Sequence, residues 1–276
     1  MKQFKSTPTK KHYGQHWLID KNILLKIIES GEVKNTDQVI EIGTGTGFLT
    51  TALAETAGKV FSYDIDESVQ EVARENLKAF TNIELIHQDF LCEERLFDQV
   101  TGSAQCKVIA NIPYNITTPI IERLIANKKH LQLAVLMVQK EIGDRLAGQP
   151  GTKAFGSLSI FVQYHFQVEK SWKVSPSCFK PPPNVDSLLV KLIPHPAPPV
   201  ELKDEELFFK VVHAAFWGRR KTLRNDLIKY SMLNLPARIA DEALAECGIN
   251  SLERGENLSL EKFAQLANSI AGKIGR

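Results

Sequence analysis

The sequence predicts an α/β fold, in which a mostly parallel sheet with helices on both faces precedes a small all-helical domain. Short β-branched runs alternate with longer helical patterns over the first two-thirds of the chain, and prolines and then helical periodicity follow. Such alternation is typical of parallel strands joined by right-handed crossovers. With 276 residues, of which 43% are apolar and 24% charged, the composition is that of a globular protein.

Five parallel strands are predicted in the first part of the chain. They cover residues 39–42, 60–63, 83–86, 108–110 and 133–138. Helices are predicted from about residue 48 onward and at residues 67–79, 119–126 and 140–147. Two further apolar runs, 158–166 and 188–193, have no obvious helix between them, and they predict an antiparallel hairpin at one edge of the sheet.

A proline-rich stretch separates the two predicted domains. Eight of the 13 prolines lie between Pro176 and Pro199, and residues 194–199 cannot sustain a helix or a strand ladder. Beyond this stretch, helices are predicted at residues 205–216, 221–230, 237–245 and 260–270. The sequence therefore predicts a doubly wound domain over residues 1–195 and a helical domain over residues 196–276.

The pattern of apolar residues and cysteines excludes several classes of protein. The best apolar run, 131–138, contains Gln132 and is far shorter than a membrane helix. The N-terminal residues lack the apolar core of a signal peptide, and the four cysteines lie far apart without a C-x-x-C pair. We therefore expect a cytoplasmic protein, by default a monomer, without a membrane span, a disulfide framework or a metal site.

The expected ligand site lies where the predicted strands end, at the carboxyl edge of the sheet. A G-x-G-x-G turn begins at Gly43, Asp64 ends the second strand 21 positions later, and Asp89 ends the third. Carboxylates at these places suit the ribose diol and the exocyclic amine of an adenosine ligand. Glu41, beside the glycines, would repel a diphosphate and suits an ammonium group or a network around it. These features favour S-adenosylmethionine over NAD, with an NAD-dependent dehydrogenase as the alternative.

Five short motifs follow one another along essentially the whole chain. They are residues 11–18 (KHYGQHWL), 41–50 (EIGTGTGFLT), 111–119 (NIPYNITTP), 179–187 (FKPPPNVDS) and 216–222 (FWGRRKT). In this order and at this spacing they resemble the motifs of the KsgA-type small-subunit (16S) rRNA adenine-N6,N6-dimethyltransferases. The resemblance implies a Rossmann-like class I methyltransferase sheet, mostly parallel with one antiparallel edge hairpin, and a small C-terminal all-helical domain.

The cofactor contacts of that family carry over to positions around the glycine turn and the strand ends. The resemblance assigns cofactor binding to Gln15, His16, Leu18, Gly43, Gly45, Asp64, Asp89 and Asn111. His16 stands where the family usually has asparagine, so a neutral ring nitrogen has to supply that contact. Trp17 replaces a phenylalanine, and Asp64 replaces the more frequent glutamate with a side chain one methylene shorter.

The Asn-x-Pro-Tyr motif is expected to hold the target base. An adenine amine is a poor nucleophile because its lone pair is delocalised into the ring. Acceptors for both of its N–H groups favour a pyramidal nitrogen, and we expect the Asn111 side-chain oxygen and the Ile112 carbonyl to be these acceptors. Pro113 stiffens the turn, and Tyr114 stacks on the extruded base. The resemblance places Phe179 on the other face of that base.

Two basic patches predict contacts with RNA. The residues concerned are Lys10 and Lys11 in the N-terminal tail and Arg219, Arg220, Lys221 and Arg224 near the start of a later helix. Positions 220 and 224 share one face of that helix, which suits phosphates spaced along an RNA backbone.

The sequence thus predicts dimethylation of two adjacent adenosines in the 3′-terminal hairpin loop of 16S rRNA, within an immature small ribosomal subunit. Inside the same class, the alternative is the large-subunit rRNA adenine methyltransferase that confers macrolide resistance. The prolines at 181–183, Asn115 and the basic residues at 219–222 favour the small-subunit branch. From another class, the alternative is an assembly or transcription factor that only binds nucleic acid.

Overall fold

The computed structural model of the chain describes residues 5, 15–92, 97, 100, 105–218 and 221–275. The chain divides into two compact units, each with its own hydrophobic core. The first unit contains the ranges 1–143 and 168–194, and the second contains the ranges 144–167 and 195–276.

A seven-stranded sheet forms the centre of the first unit, and its five parallel strands confirm the prediction. The strands of the described residues are β1 (Trp17–Leu18), β2 (Gln38–Ile42), β3 (Lys59–Asp64), β4 (Ile83–His87), β5 (Cys106–Asn111), β6 (Leu131–Gln139), β7 (Phe166–Val174), β8 (Phe179–Lys180) and β9 (Ser187–Pro194). The order in the large sheet is β4-β3-β2-β5-β6-β9-β7. Strands β2 to β6 are parallel to one another, and β9 is antiparallel to β6.

Helices follow most strands, as predicted. Those of the described residues are α1 (Lys21–Ser30), α2 (Phe48–Ala54), α3 (Glu67–Leu77), α4 (Thr117–Ala126), α5 (Lys140–Leu146), α6 (Ser157–His165), α7 (Glu205–Ala215), α8 (Leu223–Lys229), α9 (Ala237–Glu246) and α10 (Leu260–Ile274). Three of them begin after an aspartate, because its carboxylate accepts hydrogen bonds from otherwise unpaired N–H groups of the first turn. Asp20 caps α1 in this way, Asp66 caps α3 and Asp204 caps α7.

Both faces of the central strands are buried. Val39 and Ile40, which are adjacent in β2, are each 0% exposed, and successive side chains of a strand point to opposite faces. Val39 packs with Ile27 of α1 and Leu53 of α2 in one apolar cluster. Burial on both faces explains why these strands appear in the sequence as continuous apolar runs.

One predicted strand is wrong. Residues 158–166 lie almost entirely in helix α6, and strand β7 begins only at Phe166. A short apolar run does not by itself distinguish a buried strand from a buried helix. Ser159 stabilises the start of the helix, since its hydroxyl accepts a hydrogen bond from Gly156 N and donates one to the Arg145 carbonyl. The fold class is nevertheless confirmed, because β9 is antiparallel to β6 and β7 lies at the edge beyond it.

A second, two-stranded sheet was not predicted. Strand β1 pairs antiparallel with β8, with Trp17 opposite Lys180 and Leu18 opposite Phe179. Leu18 and Phe179 are both buried in the apolar cluster of the first unit. This pairing ties the segment that precedes α1 to the proline-rich segment that precedes β9.

The second unit is helical, and its core includes more of the chain than the predicted boundary at residue 195 implies. Phe155 and Tyr164 are buried in the same cluster as Phe208 of α7 and Phe263 of α10. Residues 144–167 therefore group with the helices that follow residue 195. Among the described residues, every helix is too short or too polar to cross a membrane.

Candidate active site

A cleft of about 190 Å³ opens in the first unit, at the carboxyl ends of β2, β3 and β5. Parallel strands present their carboxyl ends at one edge of the sheet, and this is where ligands of such sheets bind. Eleven of the predicted site residues line the cleft, namely Gln15, His16, Leu18, Gly43, Gly45, Asp64, Asp89, Asn111, Ile112, Pro113 and Tyr114. The fold thus brings together residues that are up to 99 positions apart in the sequence.

The glycine loop after β2 adopts a backbone conformation that requires glycine. Gly43 and Gly45 have φ values of 84° and 53°, in the left-handed region. The loop is held against the end of β3, since Gly43 N and Thr44 N both donate hydrogen bonds to the Tyr63 carbonyl, at 2.8 and 3.2 Å. Gly45 N donates to Asp64 Oδ2 at 2.9 Å. Three consecutive N–H groups of the loop are therefore occupied within the protein.

Trp17 of β1 covers Gly45 closely. A Cβ atom at Gly45 would lie 2.9 Å from the indole ring, closer than side chains pack.

We expect Gly45→Ala to lower the affinity for S-adenosylhomocysteine roughly tenfold, because the left-handed backbone and the ring both oppose a side chain there. Isothermal titration calorimetry measures this. Gly156→Ala is the control, since a Cβ there meets no atom within 4 Å, and equal affinity of Gly45→Ala and wild type would contradict the expectation.

The two acidic residues at the strand ends face the cleft with partly occupied carboxylates. Asp64 accepts hydrogen bonds from Gly45 N and Asp66 N, one on each oxygen, and burial raises its pKa above the ordinary aspartate value. Asp89 accepts a hydrogen bond from Leu91 N at 2.9 Å. Each carboxylate oxygen has a second lone pair for a ligand. Between these acids the cleft is lined by Ile65, an apolar side chain that is 46% exposed.

Glu41 does not line the cleft, so it is not placed to contact a ligand ammonium group directly. It is 0% exposed, and its Oε2 accepts hydrogen bonds from Ser62 Oγ at 2.6 Å and Thr50 Oγ1 at 2.7 Å. Its other oxygen, Oε1, has no hydrogen-bond partner. Burial raises the pKa of this carboxyl to about 8. Thr44 Oγ1 lies 2.7 Å from Ser62 Oγ, so the glycine loop is connected to this buried acid.

Asn111 ends β5, and its amide has a defined orientation. The Nδ2 atom donates a hydrogen bond to the His16 carbonyl at 3.2 Å, so the amide oxygen is the end available to an external donor. His16 is oriented in turn by a 2.8 Å contact between Nδ1 and the Pro181 carbonyl. A carbonyl only accepts, so Nδ1 carries the proton, and Nε2 is the acceptor in the neutral ring.

Tyr114 is held at both ends of its side chain. Its hydroxyl lies 2.7 Å from Ser187 Oγ, and Ser187 is wholly buried at the start of β9. Its ring stacks with the His16 ring at a centroid distance of 6.0 Å and an interplanar angle of 27°. Burial raises the pKa of the Tyr114 phenol, so the neutral phenol is favoured.

Phe179 is the predicted site residue that the structure places elsewhere. Its side chain is 3% exposed and belongs to the apolar core with Leu18 and Ile23, not to the lining of the cleft. The resemblance implied a place against one face of the target base. The pairing of β8 with β1 turns its side chain into the core instead, so its position here is that of a packing residue.

The predicted RNA-binding residues are only partly within the described part of the chain. Lys10, Lys11, Arg219 and Arg220 lie outside the described residues. In the second unit, Lys221 is exposed, and its ammonium lies 5.3 Å from the centroid of the Trp217 ring. Arg224 forms two hydrogen bonds with Asp241, the longer at 2.8 Å. The sequence did not reveal this pairing, because the two residues lie on separate helices.

Thr44 and Ser187 are among the contributors to the site that were not predicted. Both are small polar residues inside or beside motifs, and each is buried, at 3% and 0% exposure. Their positions within residues 41–50 and 179–187 were the only signal available in the sequence. Their partners, Ser62 and Tyr114, become neighbours only through the strand order.

The sheet and its cleft are those of a class I methyltransferase, and enzymes of this class take the methyl group from S-adenosylmethionine. The residues present fit that group. The Asp64 carboxylate suits the ribose diol, Ile65 offers an apolar surface beside it, and a Cβ at Gly43 would fill space 3.8 Å from the Asn111 carbonyl oxygen.

Comparison with known proteins gives the family. The family model described as "Ribosomal RNA adenine dimethylase" matches residues 7–272. Proteins named "Ribosomal RNA small subunit methyltransferase A" from Geobacillus sp. (strain WCH70) and Bacillus mycoides (strain KBAB4) are each 42% identical to this chain, covering 95% of it and 91% of their own length. The chain belongs to the ribosomal RNA adenine dimethylase family, and it is an rRNA adenine dimethyltransferase.

Two solved structures resemble the whole chain. A dimethyladenosine transferase from Plasmodium falciparum superposes with a TM-score of 0.78 at 29% identity, covering 91% of this chain and 96% of that one. The 23S rRNA methyltransferase ErmE superposes with a TM-score of 0.73 at 27% identity, covering 92% of this chain and 99% of that one. Both support the fold, and only the second is named for its RNA, the 23S rRNA.

Proposed function

We propose that this protein dimethylates the N6 amines of two adjacent adenosines in the 3′-terminal hairpin loop of 16S rRNA. The substrate is an immature small ribosomal subunit, and the protein acts as a monomer in the cytoplasm. One observation carries the proposal: the oriented Asn111 amide and the Tyr114 ring line the same cleft as Asp64 and Asp89. Names of relatives at 42% identity support the small subunit as the substrate.

The cofactor is held by the strand ends. Asp64 accepts the ribose hydroxyls with the lone pairs that Gly45 N and Asp66 N leave open, and Asp89 accepts the adenine amine. Ile65 and Phe90 line the cleft and would give the adenine an apolar surface. A dinucleotide is disfavoured because its pyrophosphate needs backbone donors, and the N–H groups of residues 43, 44 and 45 are already bonded to β3.

The bound cofactor supplies an electrophilic methyl group on a sulfonium. The Asn111 amide oxygen and the Ile112 carbonyl accept the two N–H bonds of the target amine, which favours a pyramidal nitrogen with an available lone pair. The Ile112 peptide is held by a 3.2 Å hydrogen bond from its N–H to the Met137 carbonyl. Tyr114 stacks on the extruded base, an interaction worth roughly 1–3 kcal/mol. Since transfer is an in-line displacement, positioning supplies most of the remaining acceleration.

RNA binding is assigned to the basic residues of the N-terminal tail and of the second unit. Lys221 is exposed beside the half-exposed Trp217 ring, a combination of cation and aromatic that suits a nucleic acid. Arg224 has to exchange its Asp241 partner for a phosphate, so its net contribution to affinity is smaller than that of an unpaired arginine. Lys10, Lys11, Arg219 and Arg220 add to affinity and to its salt dependence without reading sequence.

The similarity to ErmE keeps a large-subunit RNA as the second candidate substrate. We expect the purified protein to transfer labelled methyl groups to undermethylated 30S particles and not to naked 23S RNA. Mass spectrometry of the rRNA is expected to locate them as two methyl groups on each of two adjacent adenosines. Fully methylated 30S particles are the control. Incorporation into 23S RNA alone would establish the second candidate, and no incorporation into either would overturn both candidate substrates.

A further inference from the structure

A chain of buried hydroxyl groups connects the glycine loop to the Glu41 carboxyl. Thr44 Oγ1 lies 2.7 Å from Ser62 Oγ, and Ser62 Oγ donates to Glu41 Oε2 at 2.6 Å. Thr50 donates to the same carboxyl oxygen from α2 at 2.7 Å. Thr44 is 3% exposed and the other three residues are 0% exposed, so water does not compete for these hydrogen bonds.

The number of hydroxyl protons determines which group donates in each hydrogen bond of this series. A serine hydroxyl has a single proton, and that of Ser62 is donated to Glu41. The donor between Thr44 and Ser62 is therefore the Thr44 hydroxyl. Without Ser62, the Thr44 hydroxyl would be buried with no acceptor, and Glu41 would lose one of the two donors on its Oε2. A buried polar group left unpaired is costly, so the three side chains depend on one another.

The loop needs such a tether because of its glycines. Thr44 stands between Gly43 and Gly45, both of which adopt left-handed φ values. Glycine has more backbone freedom to lose than any other residue, so a loop of this composition is ordered only by external contacts. Backbone N–H groups of the loop donate hydrogen bonds to Tyr63 and Asp64. The side chain of Thr44 adds a hydrogen bond to Ser62. The last three residues of β3 thus hold the loop from consecutive positions.

We propose that Ser62 is a positioning residue of the cofactor site, which acts through Thr44 to hold the glycine loop in its binding conformation. The inference rests on the assignment of this cleft to S-adenosylmethionine. A loop ordered before binding has less conformational entropy to lose on binding. Removal of the tether therefore lowers cofactor affinity even though Ser62 does not line the cleft.

The test is a double-mutant cycle with S-adenosylhomocysteine as the probe and calorimetry as the readout. We expect Ser62→Ala and Thr44→Val each to weaken binding roughly tenfold, and the double variant to weaken it no further, because either change breaks the same link. Thr44→Ser keeps the hydroxyl and is expected to bind like the wild type. Thr56→Val is the matched control, since the Thr56 hydroxyl donates to the Ala52 carbonyl of α2 and, among the described residues, Thr56 does not line the cleft.

The melting temperature of each variant separates this role from simple destabilisation. If Ser62→Ala lowers the melting temperature but binds the probe with wild-type affinity, Ser62 is only a structural residue and the inference is wrong. Additive effects of the two changes on affinity would also overturn it, because they would show independent actions. Failure of the wild type itself to bind the probe would instead overturn the assignment of the cleft.

Discussion

Asn111→Ala is expected to lower the rate constant of methyl transfer by roughly 10²–10³-fold, the usual effect of removing one oriented group that stabilises a transition state. Asn111 provides an acceptor for the target amine, and its orientation is set by the hydrogen bond from Nδ2 to the His16 carbonyl. Alanine removes the acceptor and leaves the Ile112 carbonyl in place. Single-turnover transfer of labelled methyl groups to undermethylated 30S particles measures the effect.

Folding is expected to survive this change, because Asn111 is only half-buried. Since the resemblance also assigns Asn111 to cofactor binding, the transfer is measured at saturating cofactor, so that its rate constant is separated from affinity. Asn127→Ala is the matched control, because its Nδ2 likewise donates to a backbone carbonyl, that of Arg123, but it does not line the cleft. Wild-type turnover by Asn111→Ala would remove Asn111 from the mechanism.

Glu41→Gln is expected to change how stability depends on pH. Burial raises the pKa of Glu41 from 4.5 in the unfolded chain to about 8 in the fold. Because the folded value is the higher one, the contribution to stability is complete below pH 4.5 and is lost as pH rises through about 8. At about 1.4 kcal/mol per pH unit over roughly 3.5 units, the loss is on the order of 5 kcal/mol.

Glutamine carries no titrating proton, so the variant does not show the loss of stability with rising pH that Glu41 causes. Urea denaturation between pH 5 and 9 is expected to show the stability of Glu41→Gln rising relative to the wild type up to about pH 8 and levelling off above it. The carbonyl of glutamine still accepts from Ser62 and Thr50, so the network keeps its acceptor. Glu55→Gln, at an exposed position, is the control and should follow the wild type. Parallel curves for Glu41→Gln and wild type would show that Glu41 is not buried as described.

The parallel part of the fold was predictable because its signals are local. Strands β2, β3 and β5 are predominantly apolar runs followed by turn residues, each with one buried polar residue (Glu41, Ser62 and Lys107), and both faces of each are buried. Residues 158–166 show the limit of that signal. The same kind of run forms α6 there, because burial against the second unit's core decides between helix and strand.

The site divides in a similar way. Motif positions such as Asp64 and Asn111 were found from their place at strand ends, and the sheet order brings them to one cleft. Phe179 was misplaced because a family motif specifies the residue but not the strand pairing that turns it inward. The hydrogen bonds between Arg224 and Asp241 could not be predicted from the sequence, because Asp241 lies on a different helix.

By itself, the sequence determined the family, the parallel sheet and the residues at its carboxyl edge, since spacing, periodicity and short motifs are properties of neighbouring residues. Only the tertiary structure decided that Glu41 is a buried acid joined to the glycine loop by Ser62, that Ser187 holds Tyr114, and that Phe179 belongs to the core. These features depend on which strands lie side by side. Burial and hydrogen-bond partners between distant residues come from that arrangement, and no local pattern encodes them.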